Sequence, residues 1–135
     1  MASLFTKIVL GEIPSYKIYE DDNFLVFLDA FPLAKGHTLV IPKQEIDYLF
    51  DLPDDLYSEI QMLVKKIAVA LKIAIPCKRI GVAVLGLEVP HAHIHLVPMN
   101  SEADLNFKNP KLSFSSEEFT AIAKSIQSTL DIVIE

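Results

Sequence analysis

The sequence predicts an α+β domain built on a five-stranded antiparallel sheet, with one long central helix and a C-terminal helix. Short stretches rich in β-branched and aromatic residues lie before and after one long segment with helical periodicity. A capping-box pattern near the carboxyl end predicts the second helix. Because the 135 residues contain no repeat, linker or low-complexity tract, we predict a single domain over residues 1–135.

The five predicted strands occupy residues 17–20, 24–29, 37–41, 79–85 and 91–97. Asp21, Asp22 and Asn23 join the first two, and their side chains favour a tight turn. Pro42 ends the third strand, because proline cannot donate a hydrogen bond to a neighbouring strand. A short helical turn is also predicted at residues 5–10, ahead of the turn at residues 11–14.

The long central helix is predicted between residues 51 and 76. Its apolar residues recur every three or four positions and form one stripe: Leu56, Ile60, Leu63, Ile67 and Leu71. Acidic residues come early and lysines late, the order that the helix dipole favours. Ser115 and Glu118 have the spacing of a capping box, which predicts the second helix at residues 117–130.

Composition limits the partners of the chain. The formal net charge of −6 argues against a nucleic-acid polymer, which requires a basic surface. Apolar residues make up 51% of the chain, which favours a homodimer with a buried subunit interface. Lys65, Lys66 and Lys72 interrupt the longest apolar stretches, so no membrane span is predicted. One cysteine, Cys77, and no recognisable signal peptide predict a cytoplasmic protein.

Three histidines alternate with apolar residues in the last predicted strand. Side chains alternate between the faces of a strand, so His91, His93 and His95 share one face. Ala92, Ile94 and Leu96 then point into the core on the other face. Three buried structural histidines would carry a large desolvation cost, so this pattern favours a reactive site.

Two reactive interpretations remain open from the residues alone. Three imidazoles can bind zinc, but the three positions span about 13 Å along a strand, so a distant ligand such as His37 would be needed. Alternatively, a neutral imidazole attacks phosphorus as a nucleophile while its neighbours donate hydrogen bonds to phosphoryl oxygens. The second interpretation explains both the number and the alternation of the histidines.

The segment from His91 to Val97 resembles the signature of the histidine triad (HIT) superfamily, in which three histidines alternate with apolar residues. Further segments resemble the nucleotide-binding hydrolase branch of this superfamily, in the same order and spacing. These are residues 5–9, 11–14, 19–22, 27–29 and 36–43. The resemblance covers about residues 5 to 99.

This resemblance implies a homodimer whose sheets join across the interface. It also implies hydrolysis of a nucleoside phosphoramidate or nucleoside polyphosphate through a nucleotidyl-histidine intermediate, which releases a nucleoside monophosphate. A purine nucleotide is the substrate that the superfamily suggests. Diadenosine polyphosphate hydrolysis is an alternative, because Pro98 is similar to that branch. A slow nucleotide-binding or sensor module is another, and His95 argues against the transferase branch, which has glutamine there.

The resemblance also implies roles for individual residues. His93 corresponds to the nucleophile, while His91 and His95 correspond to residues that orient it and contact phosphate. His37 corresponds to a histidine that supports the triad. The predicted nucleotide contacts are Asp29 to the ribose hydroxyls, and Ile13 and Phe27 on the two sides of the base.

Two departures from the family pattern affect these expectations. Many bacterial relatives have a zinc-binding Cys-x-x-Cys pair where this chain has Ser3 and Thr6, and a histidine where it has Glu45. Because hydroxyls do not replace thiolates on zinc, we predict no metal and no cofactor. The segment before the triad lacks the usual small polar donors, with Leu87 in their place. We predict that Glu88 and Val89 contact substrate, Glu88 as a general acid or as a partner for an amine leaving group.

Overall fold

The computed structural model describes residues 2–134 and confirms the α+β fold class. Its helices are α1 (Leu4–Val9), α2 (Asp54–Ala74) and α3 (Ser116–Val133), and short 3-10 turns lie at Leu49–Asp51 and Glu102–Leu105. The strands are β1 (Lys17–Glu20), β2 (Phe24–Leu28), β3 (Thr38–Pro42), β4 (Arg79–Ala83) and β5 (Ile94–Met99).

The five strands form one antiparallel sheet in the order β1-β2-β3-β5-β4. The turn between β1 and β2 forms as its composition predicts, because the Asp21 carboxylate accepts hydrogen bonds from the backbone of Asn23 and Phe24, both at 2.8 Å. Toward the opposite edge of the sheet, His95 in β5 pairs with Leu39 in β3 and with Ala83 in β4. His95 therefore lies within the sheet, between two neighbouring strands.

The two faces of the sheet pack against different elements. Helices α2 and α3 cover one face and enclose the main core, which contains Ala92, Ile94 and Leu96 as predicted. Alternate residues of β2 and β3 point to the opposite face and form a second cluster with α1. We call this the α1 cluster, and its buried members are Phe5, Ile8, Leu25, Phe27, Leu39 and Ile41. The histidine side chains lie on the side of the α1 cluster, because Phe5 packs against two of them.

Both long helices begin near their predicted starts. The Ser115 hydroxyl accepts a hydrogen bond from the Glu118 backbone and the Glu118 carboxylate accepts one from the Ser115 backbone, which confirms the capping box. Helix α2 begins at Asp54, three residues later than the first predicted position, because residues 49–51 form a separate 3-10 turn before Pro53. No helix within residues 2–134 is long and apolar enough to cross a membrane.

The predicted boundaries of the last two strands were wrong. Strand β5 begins at Ile94, so His91 and His93 precede it. The backbone explains this, because the amide of His91 donates to Val89 and the amide of Ala92 donates to Ile46, at 2.8 and 2.7 Å, instead of to β3. Strand β4 ends at Ala83, two residues early. The side chains of residues 91–96 are all buried, and they nevertheless alternate as predicted, since Ala92, Ile94 and Leu96 belong to the main core and the histidines do not.

Candidate active site

Four imidazole rings lie together on the side of the sheet that α1 covers, beside Phe5 of the α1 cluster. The ring centroids of His93 and His95 are 4.9 Å apart, and those of His37 and His95 are 5.2 Å apart. Phe5 contacts His91 and His93 edge-on at 5.9 and 4.9 Å. All four histidines are buried, and His93 and His95 keep 7% of their surface exposed. We call His91, His93 and His95 the histidine row.

Hydrogen bonds to backbone atoms define which nitrogen of His91 carries its proton. Its Nε2 lies 2.7 Å from the carbonyl oxygen of Pro42, which can only accept, so Nε2 is the donor. Its Nδ1 lies 2.9 Å from the hydroxyl of Ser3 and accepts that hydrogen. Burial lowers the pKa of His91, which favours this neutral form.

The same argument defines the state of His93. Its Nδ1 lies 2.7 Å from the carbonyl oxygen of His91, so Nδ1 carries the proton and donates it. In the neutral ring, Nε2 then has a free lone pair. No hydrogen bond within residues 2–134 engages that atom. His93 therefore presents a nucleophilic nitrogen, as the alternating pattern suggests.

A relay from the backbone defines the state of His95. The amide of Leu33 donates to Nδ1 of His37 at 3.0 Å, so the neutral His37 ring carries its proton on Nε2. That Nε2 donates to Nδ1 of His95 at 2.9 Å. His95 consequently carries its own proton on Nε2. The histidine row thus offers a lone pair on His93 beside a hydrogen-bond donor on His95.

Burial keeps the relay neutral. Desolvation, with a smaller contribution from neighbouring positive charge, lowers the pKa of His37 to about 3 and that of His95 to about 4. Phe107 contributes to this burial, since its ring lies 4.7 Å from that of His95 and 6.1 Å from that of His37. Both rings are therefore uncharged at neutral pH.

Asp29 lies beside the relay at the end of β2. Its Oδ1 accepts a hydrogen bond from the amide of Phe31 at 2.9 Å, and its Oδ2 is 3.5 Å from Nε2 of His37. This contact is not an ion pair, because His37 is neutral and donates its proton to His95. Burial raises the pKa of the Asp29 carboxyl. Its second oxygen remains available to a ligand.

With this geometry in view, comparison with known proteins identifies the family. The model of the HIT domain family matches residues 10–102. The chain belongs to the HIT domain family.

Individual relatives cover nearly the whole chain of this HIT protein. The adenosine 5′-monophosphoramidase of Schizosaccharomyces pombe is 35% identical, over 96% of this chain and 99% of the relative. A HIT-like protein from Bartonella henselae, solved with an unknown ligand, has a TM-score of 0.81 and 32% identity, covering 94% of this chain and 95% of that one. A zinc-bound histidine triad family protein from Mycobacterium smegmatis has a TM-score of 0.82 and 28% identity, covering 99% and 96%.

The other residues that the sequence suggested fall into two groups in this HIT domain. Phe27 is buried in the α1 cluster, and Ile13 and Val89 pack against that cluster from outside. These three therefore lie with the residues that contact the histidine row. Glu88 is exposed, and its carboxylate makes no hydrogen bond or ion pair within residues 2–134. The structure does not bring Glu88 into the hydrogen-bonded site.

The region where the family resemblance places a zinc site is occupied by hydrogen bonds in this chain. The backbone of Ser3 and the hydroxyl of Thr6 donate to one oxygen of Glu45, at 2.5 and 2.7 Å, and the Ser3 hydroxyl donates to His91. We call Ser3, Thr6, Glu45 and His91 the hydroxyl cluster. Two hydroxyls, one carboxylate and one imidazole are a poor donor set for a structural zinc ion, because the hydroxyls stand where thiolates would be needed. The residues present do not fit a structural zinc ion.

A second group of potential metal ligands lies in the relay. Asp29, His37 and His95 offer ligand atoms within 4.8 Å of one another. The facing nitrogens of His37 and His95 share a proton at 2.9 Å, so a metal ion there would have to displace it. The absence of a metal therefore stays a prediction, and the described geometry is that of a hydrogen-bonded relay.

Several site residues could not be found from sequence patterns. Phe5, Ser3 and Thr6 lie about 85 residues from the histidine row in the chain, and their local pattern is that of an ordinary amphipathic helix. Phe107 follows the row in a segment without periodicity, beyond the residues that the family model matches. For Ser3 and Thr6 the sequence carried one signal, hydroxyls where the family resemblance places cysteines, and that signal predicted only the absence of zinc.

Proposed function

We propose that this protein hydrolyses nucleoside 5′-phosphoramidates through a covalent intermediate on His93 and releases a nucleoside monophosphate. The observation that carries the proposal is the free lone pair on His93 Nε2, which follows from the bond between His93 Nδ1 and the His91 carbonyl oxygen. Membership of the HIT domain family and the phosphoramidase relative support the same chemistry.

The reaction has two displacements at the α-phosphorus. In the first, the lone pair of His93 Nε2 forms a bond to phosphorus, the bond from phosphorus to the amine nitrogen breaks, and the amine leaves with a proton taken from solvent. In the second, water attacks phosphorus, gives one proton back to solvent, and the bond from phosphorus to His93 Nε2 breaks. Positive charge develops on the His93 ring in between, and the His91 carbonyl oxygen at 2.7 Å stabilises the proton on Nδ1.

His95 and its relay stabilise the transferring phosphoryl group. The Nε2 proton of His95 points away from His37, because Nδ1 is occupied by the relay. A donor beside the nucleophile can bind a phosphoryl oxygen as negative charge shifts in the transition state. Because burial keeps His37 and His95 neutral, the relay supplies a directed hydrogen bond without a mobile charge.

Nucleoside binding falls to residues around the row. Asp29 has one carboxylate oxygen free of backbone contacts, which suits the two hydroxyls of a ribose. Ile13 and Val89 border the α1 cluster, with Phe27 buried beneath, and this apolar surface suits a purine base. Glu88 is exposed near this segment, where a carboxylate would attract a cationic amine product.

A dinucleoside polyphosphate is the second candidate substrate, suggested by the resemblance at Pro98. Charge disfavours it, because a polyphosphate requires cations and Lys43 is paired with Glu20 at 2.9 Å. The exposed Glu88 adds negative charge. We therefore propose the phosphoramidate as the better substrate.

We further propose that the protein acts as a homodimer joined through β4. Both edges of the sheet are open within residues 2–134, but they differ in character. Strand β1 exposes Lys17 and Glu20, charges that protect an edge from pairing. The β4 edge and its continuation expose Val82, Val84 and Leu85, at 53, 41 and 50%. A second copy that pairs there would cover this apolar surface and continue the sheet.

The oligomeric state tests this proposal. Light scattering of the native protein should give twice the chain mass, and Val82→Lys should give a monomer.

The deciding experiment measures nucleoside monophosphate release from adenosine 5′-phosphoramidate and from diadenosine tetraphosphate by chromatography. We expect faster release from the phosphoramidate and none above background with His93→Ala. Circular dichroism of His93→Ala controls for folding. Equal release by the folded variant would refute the covalent mechanism, and binding without release by the native protein would identify a nucleotide sensor instead.

A further inference from the structure

The hydroxyl cluster connects α1 to the histidine row through a directed series of hydrogen bonds. One oxygen of Glu45 accepts from the backbone of Ser3 and from the hydroxyl of Thr6. The Thr6 proton is thereby engaged, and it is the Ser3 hydroxyl, at 2.9 Å, that donates to Nδ1 of His91. The Thr6 oxygen is farther away, at 3.3 Å. Ser3 therefore provides the proton that the buried His91 nitrogen needs.

The Ser3 hydroxyl is itself held in this orientation. It caps α1 by accepting a hydrogen bond from the amide of Thr6 at 3.0 Å. Its one proton has two acceptors within reach, His91 Nδ1 at 2.9 Å and the Thr6 hydroxyl oxygen at 3.2 Å, and the shorter contact is the one to His91. Ser3 is buried, with 6% exposure, and His91 is completely buried. A nitrogen that lost this donor would remain without a partner in a site closed to bulk water, which is costly.

The position of His91 determines that of His93 by two contacts. The His91 ring is bonded at both nitrogens, to Ser3 on one side and to Pro42 on the other. Its carbonyl oxygen is the acceptor that holds Nδ1 of His93 at 2.7 Å. Phe5 of α1, which lies between Ser3 and Thr6 in the chain, packs edge-on against His93 at 4.9 Å. A shift of α1 would thus move both the acceptor and the packing partner of the nucleophile.

We propose that Ser3, Thr6 and Glu45 are positioning residues for His93, which act through His91 and α1 to aim its free nitrogen. None of the three touches the reacting atoms. The catalytic part of this inference rests on the proposed function, whereas the effect on the His93 ring does not. Small misalignments of a nucleophile lower the rate of the chemical step more than they weaken substrate binding.

The test compares Ser3→Ala and Glu45→Gln with the native chain. Ser3→Thr retains both the cap and the hydroxyl, and Glu117→Gln makes the same chemical change at an exposed position on α3. We expect Ser3→Ala and Glu45→Gln to lower kcat for adenosine 5′-phosphoramidate about ten-fold, with KM changed less than about two-fold. Ser3→Thr should recover most of the rate, and Glu117→Gln should leave it unchanged.

Nitrogen-15 NMR of the histidine side chains gives a readout that a loss of stability alone would not change. In the native chain, His93 should show a protonated Nδ1 and an unprotonated Nε2, and the two signals should approach each other in Ser3→Ala as the ring samples both tautomers. Thr6→Val, which removes the bond to Glu45 and the longer contacts of the Thr6 hydroxyl with Ser3 and His91 but keeps the Ser3 hydroxyl, replaces Ser3→Ala if the latter fails to fold. Unchanged His93 signals and kcat in a folded variant would overturn the proposal.

The two proposals fail in different ways. If the native protein hydrolyses neither substrate, the proposed function is wrong, and the NMR signals alone decide whether the hydroxyl cluster positions His93. If the native protein is active and His93→Ala is not, but Ser3→Ala matches the native protein in kcat and in the His93 signals, only the positioning role is refuted.

Discussion

At the His91 end of the histidine row, an exposed carboxylate and two hydroxyls hold the ring, whereas at the His95 end the partners are another histidine and the ring of Phe107. We call the first the charged end, after the carboxylate of Glu45, and the second the neutral end, because its two imidazoles, His37 and His95, are uncharged at neutral pH. The only carboxyl against the neutral end in residues 2–134 is Asp29, 3.5 Å from His37. Both ends nevertheless assign one proton to one nitrogen. In each case the assignment starts from a backbone group with a fixed role, the Pro42 carbonyl or the Leu33 amide.

This difference shows what a row of neutral imidazoles requires. Each ring can exchange donor and acceptor between its nitrogens, so an unassisted row would sample several arrangements. Backbone groups cannot exchange roles, and one contact to such a group fixes His91, His93 and His37, while His95 is fixed through His37. The carboxylate of the charged end is exposed, so the strength of its hydrogen bonds depends on solvent and pH. The neutral end is protected by burial, and variants of the two ends should therefore respond differently.

The largest effect is expected from His37→Ala, which removes the donor to His95. Without it, His95 can place its proton on Nδ1 and present a lone pair to the phosphoryl group, a repulsive contact. Loss of such a donor typically lowers kcat about 100-fold. Turnover of adenosine 5′-phosphoramidate measures this, and His37→Gln, whose amide can donate, should recover part of the rate. A folded His37→Ala enzyme with the native kcat would exclude the relay.

The next effect is acid destabilisation through the neutral end. His37 and His95 titrate near 6.5 in the unfolded chain but at about 3 and about 4 in the fold, so the unfolded state binds more protons below pH 6.5. Their contribution to stability is complete above that pH and declines as the pH falls toward 4. Urea unfolding should show a loss of about 3 kcal/mol for the two histidines together between pH 6.5 and 5.

The raised pKa of Asp29 acts in the opposite direction, so the unfolding series is best repeated with Asp29→Asn. The loss should then be steeper, and His37→Gln should reduce it. A stability that stays constant from pH 6.5 to 5 in the Asp29→Asn protein would show that the relay is not buried in solution.

A smaller effect is expected from Phe107→Ala. Removal of the ring at 4.7 Å lets water reach His95, so the pKa of His95 should rise toward its ordinary value. Because Phe107 is only half-buried, the cost in stability should be about 1 to 2 kcal/mol. NMR titration of His95 measures the shift. Phe31→Ala, at a ring that is 73% exposed, is the matched control and should change neither quantity.

The smallest effect concerns the charged end and the pH dependence of Glu45→Gln. Hydrogen bonds from Ser3 and Thr6 lower the pKa of Glu45 to about 2 from 4.5. The stabilisation is therefore present above pH 4.5 and is lost as the pH falls toward 2. Native and variant melting temperatures should differ at neutral pH, approach each other below pH 4.5 and converge as the pH nears 2. An unchanged difference in acid would mean that the charge of Glu45 does not contribute, since the group is exposed.

The fold could be predicted closely because its signals are local. The periodic stripe of α2, the turn at Asp21 and the capping box at Ser115 each involve residues a few positions apart. The start of β5 could not be predicted, because hydrogen bonds of the His91 and Ala92 amides to Val89 and Ile46, rather than local strand propensity, determine the backbone path of residues 91–93. That the chain is one cytoplasmic domain stays a prediction.

The candidate site could be predicted only in part. The histidine row was evident from alternation, and the resemblance to the HIT superfamily added His37 and Asp29. The helpers of each ring, such as Ser3 and Phe107, come from distant segments, and their positions depend on how the whole sheet and its covering elements pack. Glu88 was expected beside them, but an exposed loop residue has nothing to fix its side chain.

The hydroxyl cluster also bears on redox conditions. Thiolate ligands of zinc are lost when they are oxidised, and the metal itself can be removed by a chelator. Serine, threonine and glutamate have no such chemistry, so the attachment of α1 to His91 is equally available in reducing and oxidising surroundings. A protein with this arrangement should keep its histidine row aligned after exposure to peroxide, in circumstances that would release a helix held by a zinc-thiolate site.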